Sequence, residues 1–514
     1  MVNVTVETLK SGTPRSIIYT MAFTSRIGRT FCLLVVWRLL SVFVVQTAHV
    51  PDEYWQSLEI AHRMAFGYGY ITWEWDTKIR SYIYPFLIAI LYKILAFLCI
   101  DHATVLITAP RLFQAILSAY ADYRFYIWTR NKWALFNLCI NWYWYYCATR
   151  TLINSVETAL TIIALSIFPW RSSDSQSLKF VWIVGFLCFA RPTAAVIWIP
   201  LCLYHLCANS RSKMNTFMRY IAIGSMILLI SISIDTLCYK EFVITPWEFF
   251  RANVLHKVAD FYGRQHMLWY IMCGIPVILG LHSFTLLIAI WQIIKYGITM
   301  HKDVMMLLIT CWTIGIYSTQ SHKEFRFLLP LLPLFIHLIA RGTTHVNYKI
   351  SEYKRKIIIL VLLISNLLPG LYFCFIHQRG SLDLMKILRN ELGNVNVTET
   401  KILYLMPCHA TPLYSHLHVN VSIKFLTCEP NLNSLQNYTD ETSIFFEEPM
   451  DWLNRNYIDD KDATLPTYII MFDDLVSKII PFLNDYKLIA KIYYTHFPQN
   501  NYGKYIVLYK KKNQ

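Results

Sequence analysis

The first stretch with residue types suited to acid–base chemistry is AHVPDEYWQ, residues 48–56, which holds the adjacent carboxylates Asp52 and Glu53. The pair directly follows an apolar run. A carboxylate at a membrane-embedded cavity is partly desolvated, which raises its pKa and makes it a useful general base. The alternative is that the two acids only end a helix and are solvated. Apolar and aromatic positions continue after the pair, and they predict an amphipathic helix at the membrane interface.

A second stretch, SHKEFRF, gathers three cations within residues 321–327. His322, Lys323 and Arg326 lie immediately before an apolar run that contains prolines. Arg and Lys donate several hydrogen bonds to phosphate oxygens, and the apolar run could accommodate a lipid tail. The alternative is an ordinary juxtamembrane cluster whose long side chains reach the membrane surface. Glu324, between the cations, favours an ordered network of ion pairs.

The rest of the chain has the composition of a membrane protein. Of its 514 residues, 55% are hydrophobic and 15% are charged. Apolar runs near the roughly 20 residues needed to cross a bilayer recur through the first three quarters of the chain. The formal net charge of +15 would also suit nucleic-acid binding, but the basic residues lie mostly in short connections between apolar runs, as in cytoplasmic loops. We therefore expect an α-helical polytopic membrane protein that does not bind nucleic acid.

The apolar runs also predict a topology. From a cytoplasmic tail at residues 1–29, the multi-span region 30–376 contains about eleven transmembrane helices. Counting the crossings from this cytoplasmic tail places the loops near 49–81, 239–267 and 321–327 in the lumen. The acid pair and the cationic group then share one side of the membrane. The clearest basic loops then face the cytoplasm, as the positive-inside rule requires. The expected spans are 30–48, 82–100, 104–128, 132–148, 153–169, 181–207, 218–238, 268–294, 303–320, 328–341 and 355–376.

Residues 377–514 have a different character. Short strand-like runs, such as KILYLM and YIIMF, alternate with polar segments and prolines. This pattern predicts a mixed α/β domain, and the same count of crossings places the domain in the lumen. Three N-glycosylation sequons cluster in it, at Asn396, Asn420 and Asn437.

Two cysteines and three histidines of this domain could form a special site. Of the thirteen cysteines, only Cys408 and Cys428 follow residue 377, and in an oxidising lumen they could form a disulfide. Both alternatives for Cys408 and Cys428, a disulfide or two reduced thiols, stay open. The run MPCHATPLYSHLH resembles a loose metal cluster, but its prolines and its lack of a clear ligand set argue against a metal site. Its histidines are His409, His416 and His418.

A few charged residues lie within or beside the expected spans, where charge is costly and often functional. The segment Arg191-Pro192-Thr193 is especially unlike a continuous lipid-facing helix. Mutual pairing inside the helix bundle and contact with substrate are both open for these residues. They are Arg38, Arg111, Glu157 and Arg191.

Together these stretches resemble the dolichyl-phosphate-mannose-dependent mannosyltransferases, glycosyltransferase family 22, which have the membrane-embedded C-type glycosyltransferase fold. That family carries His-Pro-Asp-Glu in its first lumenal loop and His-Lys-Glu-x-Arg-Phe in a later segment. The second motif is intact at His322–Phe327, and the first reads Val50-Pro51-Asp52-Glu53. The valine removes any role for a histidine at that position. Further segments match the branch that acts on glycosylphosphatidylinositol (GPI) precursors, among them YGYITWEW, RSYIYP, TRTLINS and MPCHATPLYSH.

The resemblance implies a multi-pass enzyme of the endoplasmic reticulum with lumenal interfacial helices and a lumenal active site. It implies transfer of the third mannose, α1,2-linked, from dolichyl-phosphate mannose to the GPI-anchor precursor. The donor linkage is β and the product linkage is α, so a single displacement inverts the anomeric centre. No metal or other cofactor is expected. The expected partners are these two substrates and the membrane lipids, and no protein partner is indicated.

The resemblance also implies roles for individual residues. Asp52 would be the general base, and Glu53 would position the acceptor or share that role. The donor phosphate would be bound by His322, Lys323 and Arg326. Possible further substrate contacts, for which packing roles stay equally open, are Arg80, Arg150 and Glu324.

Three other functions compete with this interpretation. A related mannosyltransferase acting on N-glycan lipid precursors is the closest alternative. A lipid transporter or flippase would also use broken helices and intramembrane charges, although no internal repeat is apparent. A membrane scaffold would use the polar groups only to stabilise helix packing.

Overall fold

The fold, taken from a computed structural model, combines a helical body with a smaller α/β domain. The structure describes residues 14–170, 177–208, 213–296, 301–393, 395–432, 438–459 and 463–512. The helices of the body are α1 Pro14–Val44, α2 Glu59–Phe66, α3 Trp73–Asp76, α4 Ile83–Phe97, α5 Ala103–Thr129, α6 Lys132–Ile140, α7 Trp142–Cys147, α8 Ile153–Ile167, α9 Lys179–Ala190, α10 Ala194–Ala208, α11 Lys213–Tyr239, α12 Thr245–Phe250, α13 Ile275–Leu279, α14 His282–Tyr296, α15 His301–Thr319, α16 Leu332–Lys349 and α17 Glu352–Phe375. Short π-helical turns occur at Tyr54–Leu58, Arg251–Leu255 and Tyr270–Gly274, and 3₁₀ turns at Val258–Tyr262 and Phe325–Leu331.

By length and composition, three helices of the described residues can cross a membrane: Lys213–Tyr239, Phe325–Val346 and Glu352–Leu392. A fourth span results if Tyr270–Leu279 and His282–Tyr296, which meet at 116°, are taken together. These helices agree with the expected multi-pass membrane protein. The expectation of about eleven crossings stays a prediction.

Several expected spans have different limits in the structure. The helix α1 begins before residue 30 and ends before residue 48. Three other spans are each divided into two helices. Asn141 separates α6 from α7 because its side-chain oxygen accepts from the Trp144 backbone N–H, which caps the second helix. Pro192, which cannot donate a backbone hydrogen bond, lies between α9 and α10. Gly280 divides α13 from α14 with a positive φ of 54°.

The C-terminal domain is built on a five-stranded mixed sheet in the order β2-β1-β3-β5-β4. The strand β1 is parallel to β2 and β3, whereas β5 is antiparallel to β3 and β4. This sheet agrees with the expected mixed α/β character. The strands are β1 Lys401–Leu405, β2 Ser422–Phe425, β3 Tyr468–Phe472, β4 Tyr486–Tyr493 and β5 Tyr505–Lys511, and the helices are α18 Gly380–Leu392, α19 Tyr414–Leu417, α20 Glu441–Glu447, α21 Pro449–Leu453, α22 Asp473–Val476 and α23 Ile480–Leu483, with a π-helical turn at Asn454–Ile458.

Both faces of this sheet are buried, because successive strand residues point to opposite sides. In β1, Leu403 and Leu405 pack with Phe445 and other side chains of the outer helices. The alternate residues Ile402 and Tyr404 belong to a core that also contains side chains from α2, α4 and α18. One face of the C-terminal sheet therefore shares a hydrophobic core with the helix that follows the acid pair.

Two of the three predicted glycosylation sites lie on the surface of this domain. Asn396 and Asn420 are exposed, whereas Asn437 lies outside the described residues. A disulfide joins Cys408 to Cys428, which are 20 residues apart in the chain. The lumenal location of the domain stays a prediction, since the fold alone is compatible with either side of a membrane.

The exposed sequons provide a test of that location. If the domain is lumenal, endoglycosidase treatment should lower the apparent mass of the wild-type protein, and Asn396→Gln and Asn420→Gln should each remove one glycan. Asn3→Gln, at the sequon of the expected cytoplasmic tail, is the matched control and should change nothing. A wild-type protein insensitive to the glycosidase would contradict the lumenal assignment.

Candidate active site

The acid pair lies in the first turn of a continuous helix, residues 52–66. Carboxylates in this position are stabilised by the helix dipole. A π-helical turn at Tyr54–Leu58 follows directly, and such turns are frequent at functional sites. Neighbouring residues of a helix point about 100° apart, so Asp52 and Glu53 face different surroundings.

Glu53 faces the protein interior. Its Oε2 lies 2.7 Å from Nη1 of Arg150, and the two side chains are only 4% and 1% exposed. Arg150 also donates from Nε to the backbone oxygen of Tyr146 at 3.1 Å and lies 4.1 Å above that ring. Glu53 is therefore half of a buried ion pair between the 52–66 helix and the body.

Asp52 faces the cationic segment instead. Its side chain is 21% exposed and pairs with Nη1 of Arg326. The second guanidinium nitrogen of Arg326 donates to Oε1 of Glu324 at 2.6 Å, and the same oxygen lies 2.9 Å from Nε2 of His322. The two sequence motifs thus meet in one chain of charges: Asp52, Arg326, Glu324 and His322.

This arrangement shifts the pKa values of Glu324 and His322 in opposite directions. Burial alone would favour the neutral form of Glu324, but the neighbouring Arg326 and the hydrogen bond from His322 hold the pKa of that carboxyl well below its usual value. The hydrogen bond to Glu324 in turn raises the pKa of His322, against the opposing effect of burial. The segment therefore favours an ionised carboxylate between two cations.

Lys323, the third predicted phosphate ligand, points elsewhere. Its Nζ donates to the backbone oxygen of Gln265 at 3.3 Å and to that of Gln320. The backbone N–H of Gln265 donates to the Ser321 oxygen at 2.8 Å. Lys323 thus joins the cationic segment to the loop before α13, and the structure does not bring it to Asp52.

A small cleft of about 40 Å³ lies next to the 52–66 helix. Gln56, one helical turn after Asp52, forms part of its wall. The break between α9 and α10 forms another part, so the interruption at Pro192 opens space inside the body. Polar and charged residues that line the cleft include Gln56, Arg80, Ser81, Tyr84, Arg191 and Thr245.

Arg80 is held at this cleft by a carboxylate that the sequence did not single out. Nη2 of Arg80 lies 2.7 Å from Oε1 of Glu74, and Gln56 donates to both Glu74 oxygens. Burial opposes the charge of Arg80, but Glu74 and then Asp52 raise the pKa of its guanidinium. Asp52 and Arg80 therefore belong to one electrostatic cluster. The segment YGYITWEW carried the only sequence signal for Glu74, as part of the family resemblance.

The candidate metal histidines are used separately. His416 Nδ1 shares a hydrogen bond of 2.9 Å with Ser415 Oγ, and His418 Nδ1 shares one of 3.0 Å with His62 Nε2. Among the described residues, potential metal ligands cluster at Cys408, His409 and Cys428. Those two sulfurs form the disulfide, and a disulfide sulfur is not the thiolate that binds metals.

The buried ion pair makes a prediction about stability. Arg150→Met leaves Glu53 buried without a counter-charge and should destabilise the protein by about 3–5 kcal/mol. Thermal unfolding of the detergent-purified protein would measure the loss, and Glu53→Leu/Arg150→Met should recover most of it. Arg455→Met, which breaks an exposed pair with Asp451, is the control and should change stability by about 1 kcal/mol or less. Equal effects of Arg150→Met and Arg455→Met would contradict the pairing.

The chain has close relatives over most of its length. GPI mannosyltransferase 3 of Drosophila melanogaster is 43% identical over 467 residues, which cover 90% of this chain and 83% of the relative. GPI alpha-1,2-mannosyltransferase 3 of Homo sapiens is 38% identical, with 92% of this chain and 85% of the relative covered.

A solved structure and a family profile also match the chain. The crystal structure of ArnT from Cupriavidus metallidurans bound to undecaprenyl phosphate matches with a TM-score of 0.54 at 10% identity, covering 94% of this chain and 98% of that chain. This likeness confirms the C-type glycosyltransferase fold. Residues 29–418 match the Alg9-like mannosyltransferase family. The chain therefore belongs to the Alg9-like mannosyltransferase family and is a glycosyltransferase.

Proposed function

We propose that this chain transfers the third mannose, α1,2-linked, from dolichyl-phosphate mannose to the GPI-anchor precursor. Relatives in insect and vertebrate carry GPI mannosyltransferase names. The observation that carries the chemical assignment is the contact between Asp52 and the Arg326–Glu324–His322 chain. A base and a phosphate-binding group must lie together for a single displacement.

Asp52 is the proposed general base. It is partly exposed, whereas its neighbour Glu53 is buried and neutralised by Arg150. A base must come within hydrogen-bond distance of the hydroxyl that it deprotonates. Glu53 then has a positioning role, because its ion pair fixes the first turn of the helix that carries Asp52.

Arg326 and His322 are the proposed ligands of the donor phosphate. Arg326 is well suited to this role because Nε is buried and has no hydrogen-bond partner among the described residues. Glu324 orients both cations, since one of its oxygens contacts each of them. Lys323 supports this segment through the backbone oxygens that it binds, and Arg80 provides a further positive charge at the cleft.

In the proposed step, the acceptor 2-hydroxyl oxygen attacks the anomeric carbon of mannose. The bond from that carbon to the phosphate oxygen breaks, and its electron pair leaves with dolichyl phosphate. The acceptor proton passes to Asp52. Because the phosphate competes with Asp52 for Arg326, donor binding frees the Asp52 carboxylate for the proton and stabilises the charge that develops on the leaving group.

The proposed setting is the endoplasmic reticulum membrane, with the cleft and the C-terminal domain on the lumenal side. Polyprenyl donors and GPI precursors are both lipids, so both can reach a site at the membrane interface. The two exposed sequons of the C-terminal domain, at Asn396 and Asn420, are compatible with this orientation.

Replacing the base tests the proposal. Asp52→Asn keeps the shape of the side chain but cannot accept the proton, so transfer should fall by about 10²–10⁴-fold. The measurement is incorporation of labelled mannose from dolichyl-phosphate mannose into a two-mannose GPI precursor, using membranes from cells that lack the endogenous enzyme.

Asp76→Asn, which changes an exposed carboxylate of the same loop, is the matched control and should transfer normally. Wild-type transfer by Asp52→Asn would overturn the base assignment. If cells lacking the protein accumulate a truncated N-glycan lipid in place of the two-mannose GPI precursor, the alternative substrate is correct.

The raised pKa of His322 predicts a pH dependence. Protonated His322 binds the phosphate, so kcat/KM for the donor should fall as the pH rises through the pKa of this residue. Glu324→Gln removes the main cause of the raised pKa, and the fall should therefore begin at a lower pH. His322→Asn should abolish this limb of the profile. An unchanged limb in Glu324→Gln would contradict the role of His322.

A further inference from the structure

One face of the 52–66 helix is bound to a single loop of the C-terminal domain. Trp55, Glu59 and His62 are spaced four and three residues apart and therefore lie on the same side of the helix. All three contact residues 411–418, more than three hundred positions later in the chain. This face is distinct from the first turn, where Asp52 contacts Arg326.

The central contact is an unusual one for a buried carboxylate. Glu59 is 0% exposed, and its carboxylate accepts from the backbone N–H groups of Leu413 and Ser415 at 2.8 and 3.2 Å. The Ser415 hydroxyl donates to the same group at 2.6 Å. These three donors all come from the C-terminal domain. A buried carboxylate without such donors would be strongly unfavourable, so Glu59 requires the loop in this position.

Contacts on either side of Glu59 extend the attachment. Toward Asp52, the Trp55 indole N–H donates to the Thr411 oxygen at 3.2 Å. Away from Asp52, His62 Nε2 lies 3.0 Å from His418 Nδ1. The Cys408–Cys428 disulfide encloses the whole contacting loop.

We propose that the C-terminal domain positions the general base, with Glu59 and Ser415 as positioning residues that set the rotation and depth of the 52–66 helix. This inference rests on the proposed function of Asp52. The Glu53–Arg150 pair holds the first turn of the helix, and the Glu59 contacts hold the next turns. The π-helical turn at Tyr54–Leu58 lies between the two attachments.

The size of the expected effect follows from geometry. A misplacement of about 1 Å in a reacting group can cost about 10²-fold in rate. Glu59→Gln presents an amide that cannot accept all three donors, so the helix should shift. Neither Glu59 nor Ser415 contacts the donor phosphate segment. In variants of these two residues, kcat should therefore fall about tenfold or more while KM for each substrate stays within about twofold.

The experiment compares Glu59→Gln and Ser415→Ala with wild type, using full-length protein reconstituted in dolichyl-phosphate-mannose-containing vesicles. Ser415→Thr keeps the hydroxyl and should retain most of the rate. Asp451→Asn removes an exposed carboxylate of the same domain and is the matched control. If Glu59→Gln does not accumulate, Ser415→Ala and Ser415→Thr carry the comparison.

A double variant separates positioning from simple stabilisation. If Glu59 acts through Asp52, Asp52→Asn/Glu59→Gln should transfer labelled mannose no more slowly than Asp52→Asn alone. A further drop in that background, or an unchanged kcat in both single variants, would overturn the positioning role. Normal transfer by Asp52→Asn would instead overturn the base assignment, whatever Glu59→Gln does, so the two failures are distinguishable.

Discussion

The site depends on one constraint: a charge buried in an apolar body must have a partner of opposite charge or hydrogen-bond donors that replace water. Glu53 satisfies this constraint with Arg150, and the pair fixes the start of the 52–66 helix against the body. Asp52, one residue earlier, is then directed away from the interior toward Arg326. A single ion pair thus gives two neighbouring carboxylates different surroundings. The cost of unpaired burial, more than any special property of Asp52, decides which of the two acids contacts Arg326.

The same constraint accounts for charges elsewhere in the body. Arg38 and Asp122, both fully buried, lie 2.6 Å apart and join α1 to α5. Arg191 and Glu157, also 2.6 Å apart, join the break after α9 to α8. For these residues the pairing interpretation holds, and the sequence had left it open. The Arg191–Glu157 pair also fixes the α9–α10 break that forms one wall of the cleft, so a structural ion pair shapes this cleft.

Local patterns in the sequence predicted much of this molecule. The run YIIMF corresponds to β3, and KILYLM contains β1, because alternation and β-branched residues are local signals. The two motifs of the site were also visible as motifs. The different surroundings of Asp52 and Glu53 were not visible, because Glu53 pairs with Arg150, which lies 97 residues away in the chain. Lys323 resembles its cationic neighbours in sequence, yet its ammonium binds backbone oxygens, and no residue pattern reports the course of a loop.

The shared core gives the C-terminal domain a physical role beyond covering a surface. Trp55, Leu58 and Ala61 of the 52–66 helix are buried together with Tyr404 and Leu417 of that domain. The other side of the helix packs against the body, so the helix lies between two packed surfaces. It cannot rotate without exposing apolar area or separating Glu59 from its hydrogen-bond donors. A short amphipathic helix resting on a membrane surface alone would lack both restraints. Acid–base catalysis needs its base held to within a fraction of an ångström, and a folded domain supplies that rigidity where fluid lipid does not.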